Sequence, residues 1–280
     1  MNTPNIRLLN YLFYFFLIFY FVLAAGPFDK IQLLSAFVAA LSFSYMAFVL
    51  RWLTLDGMRS AVLVGTIALG IGGGEFTSYL LLFFISSNLL SVLIRPSQPH
   101  EPETMERRTA QQVWANAFWF CLALILFKTT GIWAFAAASA AAIAVAMADT
   151  WATIVGSRSG KEFLRLIYPR QQVPRGTDGA ISLPGTLAAA AAAILLGVVS
   201  LFYQTSYGGL FAFVIAISGF SGCLIDSYFG ARFQYFKKQL AIFGIRILPQ
   251  NDIVNFMATG TGALLAFILY HLLFYLYALV

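Results

Sequence analysis

The sequence predicts an all-α integral membrane protein, a bundle of about nine transmembrane helices with its N-terminus in the cytoplasm and its C-terminus outside. Three observations lead to this class: the composition, the recurrence of long apolar runs, and the distribution of positive charge. Hydrophobic residues make up 60% of the 280 residues and charged residues only 10%, whereas soluble domains carry about 25% charged residues. With a mean hydropathy of +0.82, the composition excludes a soluble globular domain, a disordered chain and a disulfide scaffold.

Nine apolar runs account for the predicted helices in chain order, since a helix needs roughly 17–25 apolar residues to cross a bilayer. The core of the first run is longer than the ~7–15 apolar residues of a signal peptide, so we expect this helix to be retained. The third run is short and ends in the glycines at 72–74, which leaves a re-entrant segment as an alternative. The runs are 8–25, 31–50, 57–73, 76–94, 112–128, 131–155, 182–203, 208–228 and 253–279.

Small residues indicate which helices lie at the centre. The sixth and seventh runs are rich in alanine, the eighth contains Gly219 and Gly222, and the ninth begins with Gly260 and Gly262. Small residues let membrane helices approach closely, so we expect helices six to nine to form the tight centre. Both cysteines lie inside apolar runs, and we expect helix residues rather than a disulfide.

Positive charge fixes the predicted orientation. With nine spans, 15 of the 17 Lys and Arg residues fall on the side of the N-terminus, and only Lys30 and Lys128 fall on the other side. Lys and Arg concentrate in cytoplasmic loops, so the net charge of +6 reports orientation rather than nucleic-acid binding. The long loops 95–111, 156–181 and 229–252 share that side. We expect a multi-pass protein of the cell membrane, most simply the bacterial inner membrane, with an organelle membrane as the alternative.

Three carboxylates interrupt the apolar runs at one predicted depth. Asp149 and Asp226 lie near the cytoplasmic ends of the sixth and eighth helices, and Asp252 opens the ninth. Ionisable residues inside membrane spans are costly and mark functional candidates. Mg²⁺ takes one or two carboxylates and leaves its other positions to water and phosphate oxygens, so Asp149 and Asp226 are the predicted metal ligands. The alternative is that these residues cap helix ends or pair with Arg158 and Arg232.

The loop beside these carboxylates is basic and suits phosphate. Lys161, Arg170 and Arg175 supply charge-assisted donors of the kind that bind phosphate groups. The segment GSRSGK at 156–161 is not a phosphate loop, because that motif needs four residues between its glycines and Ser or Thr after its Lys. On α-helical spacing, Asp226, Gly230 and Gln234 share one helix face.

Five ordered motifs then identify a family resemblance. Over roughly residues 55–265 the chain resembles the membrane family that contains plastid phytyl-phosphate kinase and human transmembrane protein 19, known as domain of unknown function 92. We expect one membrane domain over 1–280, with peripheral helices in 1–55 and a family-like core in 55–279. The motifs are RRTAQQVWANA (107–117), ADTWATIVG (148–156), VPRGTDGAISLPGTL (173–187), GCLIDSYFGARFQ (222–234) and NDIVNF (251–256).

The resemblance implies an activity: a kinase that transfers phosphate from a nucleoside triphosphate, favoured as CTP, to phytyl or polyprenyl monophosphate with Mg²⁺. The expected partners are therefore a nucleotide and a prenyl phosphate in the lipid, with no nucleic acid, and the oligomeric state stays open. The expected catalytic residues are Asp149, Asp226 and Asp252. The expected phosphate-binding residues are Lys161, Arg170, Arg175, Thr177, Asn116 and Asn255.

One position departs from the family pattern. The first family motif commonly has Glu where this chain has Ile154; if that Glu binds metal or nucleotide, catalysis in this chain is expected to be weak, altered or absent. Two other functions therefore stay open, a lipid or small-molecule transporter that uses the same polar cluster and an inactive membrane scaffold. Transporters often show internal repeats and polar sites near the midplane, whereas here we find no repeat and the polar groups lie toward one side.

Overall fold

The computed structural model describes residues 3–24, 26–94, 107–157, 163–166, 170–174, 176–203, 208–235, 240–242, 245–247 and 251–278. In these residues, each of the nine apolar runs forms one helix, which confirms the predicted all-α membrane bundle. Tyr20–Ala24 and Gly230–Tyr235 extend the first and eighth helices as π-helical turns. The helices are α1 (Thr3–Phe19), α2 (Pro27–Val49), α3 (Leu55–Gly70), α4 (Gly73–Leu93), α5 (Ala110–Thr130), α6 (Trp133–Gly156), α7 (Leu183–Ser200), α8 (Gly208–Phe229) and α9 (Asn251–Ala278).

Seven of the described helices, α2 and α4 to α9, are long and apolar enough to cross a membrane. The helix α3 has 16 residues, about 24 Å at 1.5 Å per residue. Its start is bonded to the segment before α5, because Thr54 N donates to Arg108 O at 3.1 Å. Near its other end, Leu69 O accepts from Gln32 Nε2 in the first turns of α2 at 3.3 Å. The helix therefore runs between the two ends of its neighbours, as a spanning helix does and a re-entrant one does not.

Hydroxyl caps begin three helices at the cytoplasmic end. Thr54 accepts from Gly57 N at 3.1 Å before α3, and Ser182 accepts from Gly185 N at 3.2 Å before α7. Thr109 accepts from Gln112 N at 3.4 Å before α5, and the Gln112 side chain accepts from Thr109 N in return. Each cap satisfies a backbone donor that the helix leaves free and is worth about 1 kcal/mol. The caps therefore fix where α3, α5 and α7 begin.

The helix α6 forms the centre of the fold. It packs against α5, α7, α8 and α9, and its residues from Ala136 to Ala148 are all buried. Small residues on the neighbours make room for it, since a Cβ built on Gly222 or on Gly262 would collide with Val145. The core is therefore the predicted one. The helix α1 instead presents large apolar side chains outward, as Leu12 and Phe15 show with 57% and 69% exposure.

Short strands occur in two of the cytoplasmic loops, and the sequence did not predict them. In the first loop β1 (Phe163–Leu166) pairs antiparallel with both β2 (Gln172–Pro174) and β3 (Ala180–Ile181). In the second, β4 (Leu240–Ile242) pairs with β5 (Ile245–Ile247) as a hairpin. Strands of two to four residues are too short to leave an alternating pattern, since a typical strand has about 5–6 residues. The first sheet leads directly into α7.

Candidate active site

A cavity of about 390 Å³ opens between the start of α9 and those ends of α6, α7 and α8 that are predicted to face the cytoplasm. The loop that joins β2 to α7 closes one of its sides. The cavity has a polar floor in an otherwise apolar bundle. Its polar lining residues include Asp149, Thr150, Thr153, Ser157, Thr177, Asp178, Ser182, Thr186, Asp226, Ser227, Gln234 and Asn251.

Asp149 and Asp226 reach this cavity because α6 and α8 touch one helical turn below them. Gly222 of α8 packs against Val145 of α6 so closely that no side chain fits at the glycine. Asp149 follows Val145 by four residues and Asp226 follows Gly222 by four, and residues four apart share a helix face. Both carboxylates therefore line the cavity at one level, close enough to interact electrostatically. Asp226 is 9% exposed.

The helix α9 contributes amides to this pair of carboxylates. When the Asn255 amide nitrogen faces the two acceptors around it, it donates to Asp226 Oδ2 and to Asn251 O, each at 3.2 Å. Asn251 also lines the cavity, but Asp252 does not. Successive helix residues are about 100° apart, so the rotation that turns Asn251 and Asn255 toward Asp226 turns Asp252 away. The cavity therefore contains Asp149, Asp226 and Asn251, with Asn255 behind Asp226, in place of the three carboxylates that the sequence predicted.

A glycine turn forms the side of the cavity that faces α8. Gly176 and Gly179 have φ angles of +81° and +75°, a region that residues with a side chain rarely adopt. Gly179 also packs so tightly on Ala231 and Ser227 that a Cβ would collide with their backbone. Between the two glycines, Thr177 Oγ1 donates to Pro174 O at 2.7 Å. The predicted residue Thr177 therefore lies at the cavity, held by a turn that only glycine allows.

The turn also brings a carboxylate that the sequence argument missed. Asp178 is exposed and lines the cavity. Its position between two turn glycines in GTDG was the signal that would have identified it. On α8, Asp226, Gly230 and Gln234 all line the cavity, which confirms that they share a face even though the helix becomes π-helical at Gly230.

The predicted phosphate-binding cations are only partly within the described residues. Arg170 is exposed and does not line the cavity, while Lys161 and Arg175 lie outside the described residues. Arg232 binds elsewhere, since its Nη1 contacts the Tyr228 hydroxyl at 3.3 Å and its guanidinium lies 5.9 Å from the Phe233 ring centroid. In the part of the chain that the structure describes, neither Asp149 nor Asp226 forms an ion pair. Pairing of the cavity carboxylates with Arg232 is therefore not observed.

Asn116 does not lie at this cavity. Its Nδ2 donates to Gln112 O at 2.9 Å, and its side chain lines a second cavity between α2, α3, α4 and α5. The predicted role of Asn116 beside the carboxylates is not supported by this placement. Ile154, by contrast, lines the cavity with the carboxylates, so a longer acidic side chain at that position would point at the site.

The oxygen atoms that line the cavity suit Mg²⁺, which keeps water and phosphate ligands, better than they suit a metal whose ligands all come from the protein. Asp149 and Asp226 supply carboxylates, and the hydroxyls of Thr150 and Ser227 and the Asn251 side chain add neutral oxygens. Within the described ranges no group of three or more His, Cys, Asp or Glu residues is arranged to hold a metal. Mg²⁺ commonly takes one or two carboxylates and fills its octahedron with water and substrate phosphates. An Mg²⁺ ion bound in this way would keep coordination positions free for phosphate oxygens of a substrate.

Comparison with known proteins covers most of the chain. Residues 38–263 match the family described as integral membrane protein DUF92. An uncharacterized membrane protein of Methanocaldococcus jannaschii is 30% identical over 85% of this chain and 95% of its own length. An uncharacterized membrane protein of Synechocystis is also 30% identical, over 77% of this chain and 82% of its own length. No solved structure matches the chain at a significant level.

Proposed function

We propose that this chain, which belongs to the integral membrane protein DUF92 family, is a phosphotransferase that phosphorylates a polyprenyl or phytyl monophosphate from a nucleoside triphosphate. CTP is the favoured donor, on the resemblance to plastid phytyl-phosphate kinase. One observation carries the proposal: Asp149 and Asp226, from two helices, meet in a polar cavity at the cytoplasmic end of an apolar bundle. Nucleotides reach that face from the cytoplasm, and the prenyl chain stays in the lipid.

The proposed reaction needs no general base. An oxygen of the acceptor monophosphate forms a bond to the γ-phosphorus of the nucleotide. The bond from that phosphorus to the β–γ bridging oxygen breaks, and the nucleoside diphosphate leaves with the electron pair. The acceptor oxygen is already ionised near neutral pH, so no proton has to be removed from it. Catalysis of phosphoryl transfer rests on positioning and charge stabilisation, which agrees with a site built from carboxylates, amides and a glycine turn.

The predicted site residues, apart from Asp252 and Asn116, each have a part in this proposal. Asp149 and Asp226 hold Mg²⁺, which when bound neutralises charge on the transferred phosphate. Asn255 orients Asp226 through its amide, and Thr177, whose hydroxyl donates to Pro174 O, lines the cavity where the phosphates would bind. Lys161, Arg170 and Arg175 of the adjoining loop neutralise nucleotide charge. Asp252 has no step of its own, because it does not line the cavity.

The proposed membrane follows from the distribution of positive charge among the loops. The charge distribution predicts that the cavity faces the cytoplasm, and the bacterial inner membrane is the simplest setting for a cytoplasmic nucleotide donor. In an organelle, the positively charged side takes the place of the cytoplasm.

A radiolabel assay tests the proposal. Purified protein is incubated with Mg²⁺, each γ-³²P-labelled nucleoside triphosphate, and phytyl, geranylgeranyl or undecaprenyl monophosphate. We expect a labelled lipid diphosphate with at least one pair and no product from the Asp226→Asn variant. The Asp29→Asn variant is the control, since Asp29 pairs with Lys128 at the opposite end of the bundle at 3.8 Å. If no pair gives product, the transporter or inactive-scaffold alternative replaces the kinase.

A further inference from the structure

A second cavity, of about 300 Å³, lies between α2, α3, α4 and α5. It shares no lining residue with the candidate active site. Its wall is almost entirely aliphatic and aromatic, apart from a polar group at the cytoplasmic end. Ligand pockets usually have about 300–1,000 Å³, so this volume suits one narrow chain rather than a bulky ring system.

Small residues on α2 and α3 create the apolar part of this cavity. Ala61 and Gly65 face it from α3, and Ala39 and Ala40 face it from α2. A Cβ on Gly65 would lie 3.0 Å from Ala40 Cβ, so the two helices are already in close contact there. From Ala61 to the lining residue Leu69, α3 rises about 12 Å at 1.5 Å per residue. The cavity is therefore an elongated slot along the membrane normal.

The slot is closed toward the cytoplasm and open toward the lipid. At its cytoplasmic end the rings of Phe43 and Phe84 join α2 to α4 with centroids 5.9 Å apart. On its flank, Ala39 is exposed and Leu80 and Leu81 are partly exposed. These residues mark a lateral opening between α2 and α4. A hydrocarbon chain in the bilayer has direct access through this opening.

Arg108 is the charged group at the closed end. Its guanidinium lies 5.0 Å and 5.3 Å from the ring centroids of Phe83 and Phe84. Its backbone is fixed to the α2–α3 connection, with Arg108 N donating to Trp52 O at 3.0 Å. A Cβ at Gly57 would collide with Arg108 O, so the glycine permits this attachment. The side chain is half-buried and lines the cavity.

The Arg108 charge has no anionic partner among the described residues. Within those residues its guanidinium has only the two ring contacts. The carboxylate of Asp56, in the first turn of α3, accepts from Thr54 Oγ1 at 2.6 Å and from Ala110 N at 3.1 Å. Desolvation lowers the pKa of Arg108 to about 10, so the group stays protonated at neutral pH. Arg108 is half-buried, and a partly desolvated charge without a counterion carries part of the cost of a buried one. An anion at this end of the slot would remove that cost.

We propose that this slot binds one hydrocarbon chain of an anionic lipid monophosphate, with the phosphate on Arg108 and its neighbours Gln112 and Asn116. The last two residues lie one helical turn apart on α5, and both line the cavity beside Arg108. The slot supplies affinity through apolar burial, and the guanidinium selects the head group. The site is separate from the carboxylate cavity and does not depend on the phosphotransfer proposed above.

The test compares head groups on one chain length by native mass spectrometry of the full chain in a nonionic detergent, without nucleotide. We expect one dodecyl phosphate to bind saturably. Dodecyltrimethylammonium carries the wrong charge and should bind at least about tenfold more weakly, the scale of one charge-assisted hydrogen bond. Inorganic phosphate lacks the chain and should also bind at least about tenfold more weakly, because the apolar burial of the chain is lost. Equal binding of the cationic amphiphile, or of inorganic phosphate, overturns the proposal.

Matched variants locate the site. Arg108→Gln should weaken dodecyl phosphate binding about tenfold or more, while Arg107→Gln, an exposed neighbour, should change it less than about twofold. Ala61→Phe should fill the slot and abolish binding, whereas Ala191→Phe on the exposed face of α7 should not. Unchanged binding in Arg108→Gln refutes the assignment. If a variant fails to fold, the comparison of head groups on the parent protein still decides the matter.

Discussion

Asp226→Asn separates the function of the carboxylate pair from its contribution to stability. The amide has the shape of the carboxylate, and its oxygen can still accept the hydrogen bond that Asn255 gives to Asp226 Oδ2 at 3.2 Å. Only the charge disappears. Loss of one of two carboxylate ligands should cost about 4 kcal/mol of transition-state stabilisation, roughly a thousandfold in rate.

The same change should leave the fold intact or make it more stable. Asp149 and Asp226 interact as like charges, and neither forms an ion pair in the described part of the chain. Removing one charge relieves repulsion and desolvation, as is common when a functional site is replaced. Without Mg²⁺, we expect the free energy of unfolding to rise by about 0.5–2 kcal/mol.

The assay combines turnover with thermal unfolding in detergent, each measured across a Mg²⁺ titration. Mg²⁺ should stabilise the parent protein and have little effect on the variant, because a ligand that binds the folded state raises its stability. The matched control is Asp252→Asn, the same substitution at the start of α9 but outside the cavity lining, and it should lose less than about tenfold in rate. Near-normal turnover of Asp226→Asn refutes the metal assignment, and a clear loss of stability indicates a structural role instead.

Three further predictions concern the cavity and its orientation. Ile154→Glu should lower the Mg²⁺ concentration needed for half-maximal stabilisation relative to Ile154→Gln, because the position lines the cavity; equal values would show that the added charge does not reach the ion. Gly179→Ala should lower the free energy of unfolding by about 2 kcal/mol or more, through backbone strain and overpacking. Gly176→Ala has the same strain but nothing within 4 Å of its Cβ, so it should lower that free energy by only about 1 kcal/mol. Chemical denaturation measures both values. A cysteine replacing Ser157 should react with a membrane-impermeant thiol reagent from the cytoplasm and one replacing Gln204 from outside, and labelling of both from one side contradicts nine spans.

A transporter would need its polar site at a different depth in the membrane. A transport site is usually built near the bilayer midplane at an interface between repeats. Here the carboxylate cavity lies at the last turns of α6 and α8, and the middle of α6 is filled by buried alanines from Ala136 to Ala148. The observed packing leaves the polar groups on one side of the membrane, which favours chemistry at the cytoplasmic face.

The sequence alone predicted the membrane class, the number and approximate bounds of the helices, and the shared level of Asp149 and Asp226; the orientation stays a prediction. These properties depend on local composition, since the bilayer selects apolar runs and the charge of each loop acts on its own segment. The central position of α6 also followed, because its alanines and the glycines of α8 and α9 are the residues that close packing requires.

Only the tertiary structure decided which side chains meet, because that depends on the rotation of each helix about its axis. Sequence depth placed Asp252 beside Asp149 and Asp226, but the rotation of α9 brings Asn251 to the cavity and Asn255 to Asp226. In the same way α5 turns Asn116 toward the apolar slot. The rotation of each helix is set by contacts with other helices, such as that of Gly222 with Val145. The residue pattern within one apolar run does not reveal these contacts.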